Sequence, residues 1–330
     1  MTGYRKNRLL ILGNGFDVDL GMKSRYSDFA KSKVWQEKIE NNALMLSRNG
    51  LLRALVEAKD KDAWFDIEST MMHYIRKQEK QEKQEELHEA YGYPLASTDR
   101  EEYQVICSAL KEYLSEESET FHMKNTSVAE SAFKDLMDVG LFHKIYTFNY
   151  TKINDVAERL DVQAQPEVCH VHGSLAPDDD IILGVEGEQI IPEPYKFMYK
   201  SSSRYYRSNN LYEDLNSANE IVFFGHSING MDYVYFRHFF KVQSDDEANG
   251  YKRKYIRIFT YNNDSADDIK YSLRENGIQP NKLYALNNFD VILCKDLENG
   301  DKFEMNKYEE FKRDISRMST SAIQIIANRL

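Results

Sequence analysis

A short apolar run that ends in a glycine turn and leads into a helix lies near the amino terminus of this chain. Leu9 to Leu12 predict a buried strand, Gly13-Asn14-Gly15 follows directly, and Val18 to Phe29 can begin a helix. Such a junction places backbone N–H groups and the positive end of the helix dipole at one point, where a phosphate or pyrophosphate can bind. The dinucleotide fingerprint asks for a third glycine where Val18 stands, so the turn alone is equally typical of an ordinary tight turn.

Strand-like runs fall before and after a long segment with helical spacing. From about Lys31 to Gly140, apolar residues repeat at helical intervals and β-branched runs are almost absent. Later runs predict strands at His143–Tyr150, Val168–His172, Ile181–Glu186, Glu220–Ser227, Tyr255–Tyr261 and Phe289–Cys294. Predicted helices follow several of these strands, at Lys152–Leu160, Met231–Lys241, Ser265–Asn276 and Tyr308–Asn328.

The alternation of strands and helices predicts an α/β fold. We expect a Rossmann-like, mostly parallel sheet with helices on both faces, and an all-helical lobe inserted after the first strand and helix. The sheet domain would comprise residues 1–30 and 141–330, and the inserted lobe residues 31–140.

Small or polar residues follow the predicted strands at the end where ligands bind in a parallel sheet. These endings are Gly13-Asn14-Gly15-Phe16-Asp17, Thr147-Phe148-Asn149-Tyr150-Thr151, His172-Gly173-Ser174, Gly184 with Glu186, Gly225-His226-Ser227 with Asp232, and Thr260-Tyr261-Asn262-Asn263. One such ending is unremarkable, but six along one rim would be costly for a purely structural sheet. We therefore expect a ligand site at this rim.

Histidine and asparagine side chains at the rim are the candidates for catalysis. His172 precedes a glycine at a predicted strand end, where a substrate could reach its ring, whereas a satisfied, partly buried histidine is the better interpretation of His170. A zinc pair of these two lacks a third ligand with suitable spacing, so we expect no metal. His226 is a weaker candidate. Asn149 could act on a substrate or form an Asx-type turn that caps the next helix.

The overall charge argues against extended binding to nucleic acid. The chain has a formal net charge of −11, and its one tight basic cluster, Lys252 to Arg257, directly follows an acidic run. The three cysteines are far apart in the sequence, which predicts a reducing compartment rather than a disulfide framework. No apolar segment is long enough to cross a membrane. We therefore expect a cytoplasmic protein with neither nucleic-acid nor membrane partners.

In this order, the rim residues resemble the sirtuin superfamily. Sirtuins carry Gly-Ala-Gly where this chain has Gly13-Asn14-Gly15, and Thr-Gln-Asn where it has Thr147-Phe148-Asn149. His172-Gly173 matches their catalytic His-Gly pair, and Gly225-His226-Ser227 matches Gly-Thr-Ser. Asn262 falls where sirtuins have the asparagine that contacts the adenosine ribose.

A closer resemblance is to the AbiH family of phage abortive-infection proteins, a divergent sirtuin-like group. It rests on three segments in order, LILGNGFDVDLGMKSRYSDF, TFNYT and HVHGSL. The four-cysteine zinc module of sirtuin deacylases is absent from the sequence, and Thr151 stands where their last motif residue is aspartate. Deacylation of protein lysines is therefore not expected.

The resemblance implies binding of NAD and cleavage of its nicotinamide–ribose bond in antiphage defence. His172 and Asn149 would then be catalytic. The nucleotide would contact Gly13, Asn14, Gly15, Phe16, Asp17, Gly173, Gly225, His226, Ser227, Asp232 and Asn262. A non-catalytic sensor that binds NAD or ADP-ribose and an ADP-ribosyltransferase remain alternatives. Because constant NAD consumption is toxic, we expect a homo-oligomer or a phage-derived trigger to control the activity.

Overall fold

The computed structural model describes residues 8–48, 50–59, 65–84, 94–138, 144–162, 166–187, 190–208, 210–245, 247–248, 250 and 252–327. They belong to two compact units, one of Met1–Gly21, His122–Val171 and Arg207–Leu330, the other of Met22–Phe121 and His172–Tyr206. Of the described residues, 122–138 fall in the first unit, and 172–187 and 190–206 fall in the second. The predicted boundary at residues 140 and 141 falls outside the described residues, as does His143.

The described part of the first unit contains a six-stranded parallel sheet. Its strands are β1 (Arg8–Leu12), β2 (Lys144–Thr147), β3 (Glu167–His170), β4 (Glu220–Phe224), β5 (Tyr255–Thr260) and β6 (Asn288–Leu293). They lie in the order β3-β2-β1-β4-β5-β6, and all neighbours run parallel. The chain builds outward from β1 to one edge and then from β4 to the other. The point between β1 and β4 is therefore the topological switch point, where such sheets bind ligands beyond the carboxyl ends of the strands.

Helices of this unit connect the strands and cover the sheet. They are α1 (Asn14–Leu20), α8 (Val128–Asp138), α9 (Ile153–Arg159), α10 (Leu211–Ser217), α11 (Arg237–Gln243), α12 (Asn263–Glu275), α13 (Pro280–Leu286), α14 (Cys294–Glu298) and α15 (Lys302–Ala327). A 3₁₀ turn, Gly230–Tyr235, precedes α11. The predicted α/β fold with a Rossmann-like parallel sheet is confirmed.

The two faces of the sheet bury different aromatic clusters because successive strand residues point to opposite sides. On one face Phe223 packs against Phe236 and Phe240, with ring centroids 5.3 and 5.8 Å away. On the other face Phe224 stacks on Phe259 at 5.0 Å, and Phe259 contacts Phe311 of α15 at 5.2 Å. Burial on both sides explains why β1 and β4, after Arg8 and Glu220 at their starts, are continuous apolar runs rather than alternating ones.

Helix α15 also contacts the outer edge of β6. The Nζ of Lys307 donates to the Val291 carbonyl oxygen at 2.9 Å, and the Leu293 N–H donates to the Glu304 carboxylate at 2.9 Å. At the amino-terminal ends of the central strands β1 and β4, the buried Arg8 guanidinium forms an ion pair with Glu220 at 2.7 Å. Arg8 also donates to the carbonyl oxygen of Ile315 in α15, which attaches this helix to the sheet.

The described part of the second unit is mainly helical. It contains α2 (Tyr26–Phe29), α3 (Lys33–Trp35), a π-helical turn (Gln36–Glu40), α4 (Ala43–Leu46), α5 (Leu51–Lys59), α6 (Ile67–Gln84) and α7 (Pro94–Thr120). Short 3₁₀ turns occupy Glu193–Met198 and Lys200–Ser202. Buried carboxylates of α7 hold the start of α5, since Asp99 accepts from the Leu51 N–H at 3.2 Å and Glu102 from the Leu52 N–H at 2.8 Å.

Two predicted elements were wrong. Ile181–Glu186 is not a strand of the sheet; it lies in the second unit and forms only an isolated bridge between Val185 and Tyr199. The apolar residues of this segment are buried although its backbone is irregular. A run of buried apolar residues looks the same in the sequence whether the backbone is irregular or forms a short strand. The predicted helix Val18–Phe29 instead begins at Asn14 and ends at Leu20, because Gly21 adopts a left-handed conformation with φ 109°.

Candidate functional site

The glycine turn after β1 is packed against the turn after β4, at the switch point. Gly13 N–H donates to Phe224 O at 3.0 Å, and Gly15 N–H donates to Gly225 O at 2.9 Å. A Cβ on Gly13 would lie 2.6 Å from the His226 Cα, and one on Gly15 would lie 2.7 Å from the Gly225 Cα. These glycines are therefore required for the close approach of two loops.

This packing alters the phosphate cradle that the sequence predicted at Gly13–Gly15. The N–H groups of Gly13 and Gly15 donate to the β4 turn, and the Phe16 N–H donates to Gly13 O at 2.9 Å. They are thus satisfied within the protein rather than left bare for an anion. Phe16, predicted to contact the nucleotide, is a core residue whose ring packs on Phe224 and Phe133.

The turn after β4 is conformationally strained. Gly225, Ile228 and Gly230 have positive φ values of 63°, 51° and 60°. For the β-branched Ile228 this conformation costs roughly 1–3 kcal/mol. Its fully buried side chain and the hydrogen bond from Ser272 Oγ to Ile228 O, 3.1 Å long, hold it in place. Strain of this kind at a switch point is typical of a functional site.

His226 is buried within this turn. Its Nδ1 accepts from the Ile228 N–H at 3.0 Å, which leaves the proton of a neutral ring on Nε2. The ring packs edge-on against Phe148 and Phe236, with centroids 4.6 and 5.0 Å away. The neighbouring Ser227 is exposed and Asp232 is partly exposed, so both predicted contact residues reach the surface of this unit.

Asn149 is the centre of a buried polar network beyond β1 and β2. Its Nδ2 donates to the Gly13 carbonyl oxygen at 3.0 Å, and its backbone N–H donates to Thr147 Oγ1 at 3.1 Å. His170 Nδ1 lies 3.3 Å from the Asn149 carbonyl oxygen and therefore donates to it. Asn149 is only 5% exposed. It joins strand ends that are distant in sequence, which a simple cap of the next helix would not do.

Asp17 belongs to the same network and is the titratable group that it buries. The Thr151 hydroxyl donates to Asp17 Oδ2. Burial raises the pKa of Asp17 to about 6, although the polar side chains of Thr151 and Asn149 lower it. Asp17 Oδ1 has no hydrogen-bond partner among the residues that the structure describes. A buried carboxylate with a raised pKa beside a ligand rim is typical of functional sites.

Asn262 caps a helix. Its Oδ1 accepts from the backbone N–H and the hydroxyl of Ser265, both at 3.0 Å, at the start of α12. The exposed Asn14 lies in the first turn of α1. The sequence placed both residues beside a nucleotide, and Asn262 has an evident structural role at its position.

His172, Gly173 and Ser174 lie in the second unit. His172 is 3% exposed, and its carbonyl oxygen accepts from the Ile182 N–H at 2.8 Å. Gly173 has φ 73°, and a Cβ there would lie 1.8 Å from the Asp180 carbonyl oxygen, so only glycine fits. Ser174 Oγ donates to Asp179 at 2.9 Å. The turn that follows His172 is thus rigidly held.

Sequence reasoning missed the pairing of Thr151 with Asp17 and the strain at Ile228. The TFNYT segment carried a usable signal, since a hydroxyl two residues after Asn149 has the reach to bond a neighbouring strand end. The structure also contains a groove of about 360 Å³ in the first unit, lined by Asn263, Tyr284, Leu293, Phe303 and Lys307 among others. It borders β6, the edge strand, rather than the switch point, and of its lining residues only Asn263 belongs to a strand ending that the sequence placed at the ligand rim.

The described residues contain no cluster of three or more His, Cys, Asp or Glu side chains able to hold a metal ion. Within the same residues, no helix is both long and apolar enough to span a bilayer.

Comparison with known families agrees with the motifs at the strand ends. The family model for bacteriophage abortive infection AbiH matches residues 9–249, which include β1 to β4 and the helical unit. A search of curated proteins finds no significant match. Since the family model covers well over half of the chain, the protein belongs to the AbiH family of bacteriophage abortive-infection proteins.

Proposed function

We propose that this protein acts in phage abortive infection by cleaving NAD into nicotinamide and ADP-ribose. The observation that carries the proposal is the buried network around Asn149 beside the switch point of a Rossmann-like sheet. A buried amide that is held by a main-chain carbonyl oxygen at this position favours a role in orienting a ligand. The sirtuin-like order of the Asn149 and His172 motifs supports NAD as that ligand.

The proposed reaction is the attack of water on the ribose carbon that carries nicotinamide. A C–O bond forms, the C–N bond breaks, and neutral nicotinamide leaves with the electron pair of that bond. Positive charge develops on the ribose in the transition state, and the leaving group needs no proton. The protein must therefore orient the ribose and the water, exclude bulk solvent and accept one proton from the water.

Each requirement has a candidate residue. Asn149 would orient the ribose hydroxyls and the attacking water, and His172 would accept the proton of the water. The exposed hydroxyl of Ser227 would bind a phosphate or ribose oxygen. Gly13 and Gly15 would act by placing the β1 turn against the β4 turn rather than by donating their own N–H groups.

Control of this activity is part of the proposal. Because depletion of NAD stops growth of the cell that carries the enzyme, resting turnover should be low. A phage-derived trigger or a change in homo-oligomeric state would raise it. No metal is needed for the proposed reaction, because the leaving group is already neutral when it departs.

Incubation of the purified protein with NAD, followed by chromatography of nicotinamide and ADP-ribose, tests the chemistry. The cellular NAD pool should be measured in parallel, before and during phage infection. We expect nicotinamide release by the protein and an NAD pool that falls only after infection. Infection that is aborted with an unchanged NAD pool would refute the proposal. Nucleotide binding without release of nicotinamide would identify a sensor, and ADP-ribose attached to a macromolecule would identify a transferase.

A further inference from the structure

The turn after β4 buries two side chains and exposes the one between them. His226 is 4% exposed and Ile228 is fully buried, whereas Ser227 is exposed. The backbone around Ser227 is unusual, since Gly225 has a φ of 63° and Ile228 a φ of 51°. The direction in which the Ser227 hydroxyl points therefore depends on the contacts that hold this turn in its strained conformation.

The His226 side chain forms a hydrogen bond that closes the turn around Ser227. Its Nδ1 accepts from the Ile228 N–H, two residues further along the chain, at 3.0 Å. The arrangement is that of an Asx turn, with a ring nitrogen in the place of the asparagine oxygen. Because a backbone N–H can only donate, Nδ1 carries no proton, and the proton of the ring is on Nε2.

The packing around the His226 ring keeps its Nδ1 directed at Ile228. The ring lies edge-on to Phe148 and Phe236, with centroids 4.6 and 5.0 Å away. The turn after β1 lies against the same side chain, since a Cβ on Gly13 would be 2.9 Å from the His226 Cβ. A phenylalanine could fill this space nearly as well. The feature that only histidine supplies among aromatic residues of this size is the acceptor nitrogen.

From this geometry we infer that His226 is the positioning residue for Ser227. Its Nδ1 fixes the turn, and the turn presents the Ser227 hydroxyl to the ligand. This inference rests on the proposed function, in which that hydroxyl binds a phosphate or ribose oxygen of NAD, and it identifies what keeps the hydroxyl in place. His226 acts through Ser227, in contrast to the direct nucleotide contact that the sequence suggested.

The test separates the acceptor nitrogen of His226 from its ring. His226→Asn keeps an acceptor that can reach the Ile228 N–H but lacks the ring, whereas His226→Phe keeps a ring and lacks the acceptor. In His226→Phe we expect KM for NAD to rise about 10-fold and kcat to stay within about threefold of the parent, because a binding contact away from the reacting bond is lost. In His226→Asn, KM should stay within about threefold of the parent, although the melting temperature should fall with the loss of ring packing. A normal KM in His226→Phe, or a KM raised equally in both variants, would overturn the role of His226.

A double-mutant cycle tests whether His226 acts through Ser227. Ser227→Ala alters an exposed side chain and should raise KM about as much as His226→Phe does. The double variant should show no further rise, because the two changes remove the same contact. Effects that multiply to about 100-fold would mean that His226 contacts the ligand independently of Ser227, and would overturn the inference.

A further readout does not depend on turnover. With ¹⁵N-labelled histidine, the ring signals that vanish in His226→Phe belong to His226, and in the parent they should show a bare Nδ1 and a protonated Nε2. The Ile228 amide should be protected from hydrogen exchange in the parent and in His226→Asn, and should lose protection in His226→Phe. A proton on Nδ1, or unchanged protection in His226→Phe, would overturn the role of His226. If the parent protein neither binds nor cleaves NAD, the proposed function fails, while these spectra still decide whether His226 holds the turn.

Discussion

Gly15 and Gly225 are in direct main-chain contact at the switch point of the sheet. The Gly15 N–H donates to the Gly225 carbonyl oxygen at 2.9 Å, and a Cβ on Gly225 would lie 2.2 Å from the Phe16 nitrogen. The turn after β1 and the turn after β4 thus form one packed unit. Side chains of either turn are positioned by this contact, including Asp17 on one side and His226 on the other.

Gly225→Ala should therefore be strongly destabilising. Gly277→Ala is the matched control, because Gly277 also has a positive φ, 77°, but a Cβ there meets nothing within 4 Å. The free energy of unfolding of the control should fall by about 1–2 kcal/mol, because alanine is unfavourable in a left-handed backbone conformation. In Gly225→Ala the new Cβ also overlaps with backbone atoms. Its free energy of unfolding should therefore fall by several kcal/mol more than that of the control, or the variant should fail to fold. Urea denaturation of both variants measures the difference, and equal losses would contradict the packing described here.

Asp17→Asn should change the pH dependence of stability. The folded protein has a raised pKa of about 6 at Asp17, so it binds this proton more tightly than the unfolded chain does. The stabilisation from the protonated carboxyl is present below about pH 4 and is lost as the pH rises through about 6. The rise from 3.8 to about 6 corresponds to about 3 kcal/mol at most. The variant should gain stability relative to the parent between pH 4 and pH 8, as measured by urea denaturation at several pH values. A difference that does not vary with pH would show that the Asp17 carboxyl keeps an ordinary pKa.

Glu220→Gln should destabilise the sheet through Arg8. The two side chains form a buried ion pair at 2.7 Å, and burial raises the pKa of Glu220. Removal of one charge leaves the other without compensation, at a cost of about 3–5 kcal/mol. The double variant Arg8→Met with Glu220→Leu should recover most of that loss. A double-mutant cycle of Arg8→Met, Glu220→Leu and the double variant, measured in urea, tests the coupling, and single losses that simply add in the double variant would mean that the pair is not coupled.

His172→Ala should abolish NAD cleavage and leave the fold intact. Loss of a general base typically lowers the rate about 10²- to 10⁴-fold. His238→Ala, at an exposed position on α11, serves as the control and should keep the parent rate. Rates are compared by nicotinamide release at saturating NAD. Near-normal turnover in folded His172→Ala would remove His172 from the mechanism and direct attention to His170 and His226.

Asn149→Ala should also lose turnover while still binding the nucleotide. Its side chain is proposed to orient the ribose and the water, whereas the Ser227 hydroxyl is proposed to bind a phosphate or ribose oxygen. Calorimetric titration with NAD would show binding within a few-fold of the parent. Loss of the Gly13 hydrogen bond also predicts a decrease of about 1 kcal/mol in stability. Complete loss of binding, or unfolding, would instead indicate a structural role for this residue.

The parallel sheet could be predicted from the sequence because each central strand is a short apolar run with a helical pattern after it. The error at Ile181–Glu186 has a physical cause, since burial of Ile181, Ile182 and Leu183 in an irregular segment produces the same run of apolar residues. Asp17 and Asn149 could be selected from their positions after strands. Their joint network could not be predicted, because it depends on Thr151, which is 134 positions from Asp17 in sequence.

The outer edge of β6 has a consequence for how the protein behaves at high concentration. An uncovered edge strand is a template on which a strand from another molecule can form hydrogen bonds, the first step in many forms of aggregation. At Val291 and Leu293 the outward groups are already taken by Lys307 and Glu304. A second chain would have to displace two charged side chains before it could extend the sheet there. Growth of fibrils by strand addition at this edge is therefore disfavoured, and Lys307→Ala with Glu304→Ala should make the protein more prone to it.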